Sequence, residues 1–180
     1  MNAWGIARST GGPSWFVANN GSGTSTSYIF DGRLAPVVLT VPGSPTGTLW
    51  NSTEDFKLKN NQRALFLFAS EDGTISGWNF GGPNPNAAEI VVMPRTNAVY
   101  KGLAIDQIGD SNYLLATDFR NGRVDIFDGQ FKNITKKFRR DPDGDNHSFA
   151  LEICSRGFAP FGIQNLGGTI FVTFAKTGRG

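Results

Sequence analysis

An all-β chain built as a tandem array is what this sequence predicts, and three observations predict it. A short phrase returns four times, as Trp4-Gly5-Ile6-Ala7, Thr46-Gly47-Thr48-Leu49, Lys101-Gly102-Leu103-Ala104 and Phe161-Gly162-Ile163-Gln164, each followed by a second apolar run. In three units that run ends in a small residue and polar partners: Val17-Ala18-Asn19-Asn20, Phe68-Ala69-Ser70-Glu71-Asp72 and Leu115-Ala116-Thr117-Asp118; the fourth reads Val172-Thr173-Phe174-Ala175-Lys176. The composition, with 23 Gly and with 15 Phe and 4 Trp against 2 Met, suits short strands joined by tight turns. Repeats of roughly 40 to 60 residues made of short strands are the signature of a β-propeller. The chain divides into about three and a half four-stranded antiparallel blades of a partial propeller, within a single domain of residues 1–180.

The first blade, about 3–43, starts with Gly5-Ile6-Ala7 and turns at Gly11-Gly12-Pro13. It continues through Trp15-Phe16-Val17-Ala18 and the alternating run 25–30, turns at Asp31-Gly32, and closes with Pro36 to Val41 before the breaker Pro42-Gly43. The second, about 44–95, has Ala64 to Ala69 as its buried strand, Thr74 to Trp78 next and Glu89 to Met93 outermost. The stretch Gly81-Gly82-Pro83-Asn84-Pro85-Asn86 is too rich in turn formers to join a ladder. In the third, about 98–140, strands at 103–105, 113–117 and 123–127 are separated by Gly109-Asp110 and Asn121-Gly122. After Asp128-Gly129 the alternating run Ile134-Thr135-Lys136-Lys137-Phe138 predicts a fourth strand. The fourth unit, 158–180, shows two strands, preceded by a loop insertion over 140–157. Such an array cannot close by itself, since an open side exposes apolar blade faces and strand edges, so either the native protein continues past Gly180 or a protein partner or second copy is expected to complete the propeller.

Seventeen Lys and Arg against fifteen Asp and Glu leave a formal charge of +2, too little to neutralise a nucleic-acid backbone. The basic run Lys136-Lys137-Phe138-Arg139-Arg140 reads as a solvated turn or a small anion-binding patch. The single Cys154 allows no disulfide within the chain. No apolar run reaches the length of a membrane span, and Met1-Asn2-Ala3-Trp4 has neither the basic start nor the apolar stretch of a signal peptide. The chain starts inside a repeat, which suggests a processed or truncated product.

At Asn2 to Ala7, Ala18 to Thr26, Glu71 to Trp78, Val99 to Ala104 and Ala159 to Asn165 the sequence resembles an uncharacterised family of NHL-like six-bladed propellers. The resemblance spans the chain and implies a ring of about twice its length, mostly in exported proteins, with this chain as the N-terminal half. It implies no catalytic residue, because the family has no agreed activity. Two departures stand out: the enlarged loop from Arg140 to Phe149 and beyond, expected to be an interaction site of its own, and the stop after Lys176, where relatives continue into further blades.

In propellers the turns after the second strand gather with the segments before the first at one rim of the central channel. Asn19, Asn20, Glu71, Asp72, Asp118 and Lys176 are therefore the binding candidates. Carboxylates and amides around one mouth can hold a hard cation such as calcium through oxygen, or hydrogen-bond a sugar. Turn chemistry alone also favours Asn and Asp at these places. Asp141, Asp143, Asp145 and Glu152 match positions 1, 3, 5 and 12 of a calcium loop, although Asn146 replaces the glycine of position 6 and no flanking helices are visible. His147, the single histidine, excludes any two-histidine metal site. Four Asn-x-Ser/Thr sequons occur, at Asn20, Asn51, Asn133 and Asn146, of which Asn51 and Asn133 stand near turns and are the expected glycan acceptors. The function expected from all this is a non-enzymatic extracellular binding or assembly module. The alternative is a lactonase-like hydrolase with Glu71, Asn19 and Asp118 around a metal.

Overall fold

In the first blade, β1 (Ala3–Arg8), β2 (Trp15–Asn19), β3 (Thr24–Tyr28) and β4 (Leu34–Thr40) pair antiparallel in chain order. Glycines at positive φ make the turns around them, Gly23 at 63° and Gly32 at 85°. The second blade repeats the plan with β5 (Pro45–Trp50), β6 (Phe66–Ser70), β7 (Ile75–Trp78) and β8 (Glu89–Val92). The Gly/Pro/Asn stretch 81–86 stays out of the ladder and is pinned by the Trp78 indole, which donates to the Pro85 carbonyl at 2.9 Å. The third sheet holds β9 (Tyr100–Ile108), β10 (Ser111–Asp118) and β11 (Arg123–Phe127); the fourth holds β12 (Phe158–Leu166) and β13 (Thr169–Lys176). This is a computed structural model, and it describes residues 2–10, 12, 14–94, 97–138 and 157–178. The innermost strands pack side by side in chain order, β1 on β5, β5 on β9 and β9 on β12, which is the propeller arrangement the repeats predict.

One predicted strand is a helix. Instead of continuing the third sheet, Thr135–Phe138 forms the single turn α1. The Asn133 carboxamide accepts the Thr135 N–H at 3.2 Å, and the Thr135 hydroxyl takes the Ile126 N–H at 2.9 Å, so a side chain fills the place a strand carbonyl would take. The segment's alternation suited a strand, but these two local bonds bend it into a turn.

Period-two patterning supplies the core. Along β6, Phe66 and Phe68 pack toward the first blade, with Phe16, Leu39, Val41 and Trp78, while Leu67 and Ala69 pack toward the third, with Tyr100, Leu103, Leu114 and Phe127. A strand buried on both faces must be apolar throughout, and Phe66 to Ala69 is. Each such Leu or Phe contributes about 1.5–3 kcal/mol by leaving water.

The repeated phrase has one local geometry in all four units. In every blade two residues of the innermost strand stand opposite one of the next: Trp4-Gly5 against Ala18, Thr46-Gly47 against Ala69, Lys101-Gly102 against Thr117 and Phe161-Gly162 against Thr173. A bulge of this kind bends the strand and re-aims the side chain before the glycine. The glycine then lies against the next blade. A Cβ on Gly5 would stand 2.3 Å from the Thr46 carbonyl oxygen, one on Gly47 2.6 Å from the Leu103 nitrogen, and one on Gly102 2.9 Å from the Ile163 nitrogen. Among the described residues, a Cβ on Gly162 would come within 4 Å only of the Thr173 hydroxyl of its own hairpin.

Candidate functional site: the channel rim

The bulges bring the residues that head the phrases together. Lys101 extends its ammonium 4.8 Å from the centre of the Trp4 ring and 5.9 Å from that of Phe161, and those two rings lie 5.7 Å apart. Phe119 closes edge-on against Phe161 at 5.8 Å. Glu71, from the turn after β6, pairs with Lys101 through one carboxylate oxygen, and its other oxygen accepts from the Asn20 carboxamide at 3.1 Å. Asn20 also reaches the Ser44 carbonyl at 3.3 Å. Residues of all four blades thus meet around one ammonium held by a carboxylate and two aromatic rings. Thr46 heads the second phrase but is buried; it ties blade to blade by donating to the Tyr100 carbonyl at 2.8 Å.

Burial pushes the Glu71 carboxyl up, but hydrogen bonds from Lys101 and Asn20, with the Lys101 charge, outweigh it and hold the carboxyl below its ordinary range. A depressed carboxylate pKa gives stability that is fully present above the ordinary glutamate value of about 4.3 and is lost as pH falls through the lower folded value. Glu71→Gln is therefore expected to flatten the acid limb of the stability curve below about pH 4.3. At neutral pH it should cost less than about 1 kcal/mol, since a third of this side chain faces water. Denaturant titrations between neutral and acid pH test it: parallel curves for the two proteins would mean that the pair adds nothing.

Of the rim residues expected from sequence, Asn20 and Glu71 meet here. Asn19 is buried and its carboxamide donates to the Thr24 and Thr26 hydroxyls. Asp72 caps its own turn, accepting the Thr74 N–H at 3.0 Å. Asp118 is fully buried, accepts the Val99 and Asn121 N–H groups at 3.2 Å and lies 3.7 Å from Arg123. Lys176 is exposed at the end of β13, opposite Phe158. The three groups a lactonase-type metal would need, Glu71, Asn19 and Asp118, are each held by different partners. No three His, Cys, Asp or Glu side chains among the described residues come together to hold a metal. Asp141, Asp143, Asp145, His147, Glu152 and Cys154 lie outside the described residues.

Sequence reasoning missed Trp4, Lys101 and Phe161. Their signal was positional: the side chains that precede the repeated glycine, two aromatic, one hydroxyl and one ammonium, share a place in the phrase and no single chemistry.

The expected glycan acceptors need correction. Asn51 is fully buried, donates to the Asp55 and Ala64 carbonyls at 3.1 and 3.0 Å and accepts from Thr53. The Asn133 amide nitrogen is also shut away from solvent, and its oxygen accepts the Thr135 N–H. In both, Asn-x-Thr is a turn closed by the Asn oxygen on the N–H two residues on, and the same pattern reads as a sequon. Neither nitrogen can carry a glycan in this packing.

No family model and no curated protein matches the sequence. Among solved structures, the chain is similar to a chain of the nidogen/laminin complex, at 14% identity and a TM-score of 0.56, covering 95% of this chain and 55% of that one. It is also similar to the Swd1 β-propeller domain of Myceliophteria thermophila, at 13% identity and a TM-score of 0.53, covering 90% of this chain and 44% of that one. The chain spans about half the length of the solved structures it matches. The propeller fold is what these similarities establish. Among the described residues no helix is long and apolar enough to cross a membrane.

Proposed function

We propose that this chain is a non-enzymatic binding and assembly module, working outside the cell, that offers the open face of its fourth unit to a protein partner or to a second copy. Gly162, uncovered by any other blade among the described residues, carries this reading. At Gly5, Gly47 and Gly102 the glycine is met by the backbone of the next blade, and at Gly162 it is met only by its own hairpin among the described residues. Two large apolar side chains of the same hairpin, Leu166 and Phe171, are each 53% exposed. A bulge already shaped to receive a neighbouring innermost strand, flanked by apolar surface, fits another sheet. One of the similar structures was solved as the complex of nidogen with laminin, which agrees with a propeller that meets protein partners.

Sedimentation of the purified 180-residue chain tests the second-copy form. Self-association is expected, and Phe171→Asp should weaken it about tenfold or more without lowering the melting temperature, since a central exposed aromatic carries a large share of interface energy. A folded monomer that co-purifies with no partner, or association indifferent to Phe171→Asp, would count against the proposal.

A further inference from the structure

A cavity of about 640 Å3 opens on the seam between the second and third blades. It lies among the connections β5–β6, β9–β10 and β11–α1, at the opposite end of the blades from the Glu71 turn. Its size falls within the range of small-molecule sites, about 300–1,000 Å3. The seam is fixed from both sides: the Phe56 N–H donates to the Gly129 carbonyl at 2.9 Å, and the Asn112 carboxamide donates to Asp55 at 2.8 Å.

α1 is what gives this cavity its wall. One helical turn places Ile134, Lys137 and Phe138, three and four residues apart, along one side. A strand would have sent Lys137 and Phe138 to opposite faces. Phe138 stands against Tyr113 with ring centres 5.3 Å apart in an edge-to-face pair. Across from them, Asp55 and Gln130 each precede an aromatic residue in the left-handed region, Phe56 at φ 61° and Phe131 at φ 63°, and these two rings pack 5.4 Å apart. Non-glycine residues hold this conformation only where the surroundings enforce it, and such positions gather at ligand sites.

The lining selects a ligand class by its hydrogen-bonding balance. Asp55, Asp110 and Asp128 offer acceptors; Ser111, Gln130 and Lys137 offer donors. An anion would face three carboxylates, and among the described residues no three carboxylates converge to hold a metal ion. Hydroxyl groups both donate and accept, and the C–H face of a pyranose ring packs against aromatic rings. We infer that this cavity binds a neutral saccharide, seated against Tyr113 and Phe138 and hydrogen-bonded by Gln130 and the carboxylate side. The site is separate from the open face of the fourth unit.

Backbone amide spectra of the 180-residue chain, titrated with maltose, cellobiose and chitobiose in turn, test it. At least one sugar should shift the amides of residues 110–113 and 128–130 with a dissociation constant of about 1 mM or tighter. Tyr113→Ala should weaken binding about tenfold, the loss of one good contact surface. Gln130→Ala, an exposed turn position that leaves the fold intact, should weaken it measurably as well. Phe171→Asp should leave sugar binding unchanged, which separates this site from the assembly surface. Silence with all three sugars, shifts that map to the Glu71 rim instead, calcium displacing the sugar shifts from the same amides, or affinity unaltered in both pocket variants would overturn the inference.

Discussion

Gly47→Ala is expected to destabilise the protein by about 3 kcal/mol or more, a large part of the 5–15 kcal/mol that holds a typical domain together. The added methyl would stand 2.6 Å from the Leu103 nitrogen and 2.8 Å from the Gly102 carbonyl carbon, both backbone atoms of the neighbouring innermost strand. Backbone cannot rotate aside as a side chain does, so the two blades must separate, and that separation loosens the cluster of Leu49, Leu67, Tyr100 and Leu103 between them. Gly5→Ala should cost at least as much, with contacts of 2.3 and 2.7 Å to Thr46 and Thr48. Gly162→Ala is the internal control: its methyl meets the Thr173 hydroxyl at 2.9 Å, a group that can turn away at the loss of its hydrogen bond from the Gly162 N–H. That change should cost about 1 kcal/mol in the 180-residue chain. Urea denaturation of the three variants at constant slope reads the series. Equal losses at Gly47 and Gly162 would refute the claim that these glycines are blade-to-blade contacts.

This series also marks how far the residues themselves disclosed the fold. The four phrases and the small residues Ala18 and Ala69 were visible as a pattern, and the pattern is a bulge with its single opposing residue; in the third unit the small residue, Ala116, pairs with Leu103 and its neighbour Thr117 opposes the bulge. What made glycine necessary was not visible, because the atom that excludes a side chain belongs to a blade some 40 to 60 residues away along the chain. The rim was half legible for a related reason. Polar residues after the second strand drew attention as ligands, yet Asn19 and Asp72 spend their hydrogen bonds on their own turns, as turn chemistry alone would have them do. Lys101 shares no chemistry with the aromatic Trp4 and Phe161 in sequence, and the three acquire a common role only when the bulges aim them at one point. α1 was illegible because Ile134 to Phe138 alternates as a strand does; the deciding bonds come from the side chains of Asn133 and Thr135. The same misreading hid the seam cavity, whose wall exists only if that segment is helical.

Among the described residues, removing Arg123 should be the most damaging single charge change. Its guanidinium donates to Asp125 at 2.7 Å and lies 3.7 Å from Asp118, and both carboxylates are 0% exposed. Burial works against the Arg123 charge, but the hydrogen bond to Asp125 and the charges of Asp125 and Asp118 outweigh it, so the guanidinium is held in its charged form more firmly than usual. The neutral donors around the two aspartates, the Tyr100 hydroxyl at 2.9 Å and the Val99 and Asn121 N–H groups, orient them without cancelling their charge. Arg123→Ala thus takes a guanidinium from beside two buried carboxylates, and breaking a buried pair from one side costs about 3–5 kcal/mol. Arg123→Lys keeps the charge but loses the planar fork that spans both partners, and should recover only part of that loss. The decisive variant is the double change Arg123→Ala with Asp125→Asn. If the damage comes from stranded charge, the double variant is more stable than Arg123→Ala alone, a coupling that a thermodynamic cycle on equilibrium unfolding measures directly. If the two losses simply add, Arg123 acts through its packing and the ion pair is incidental.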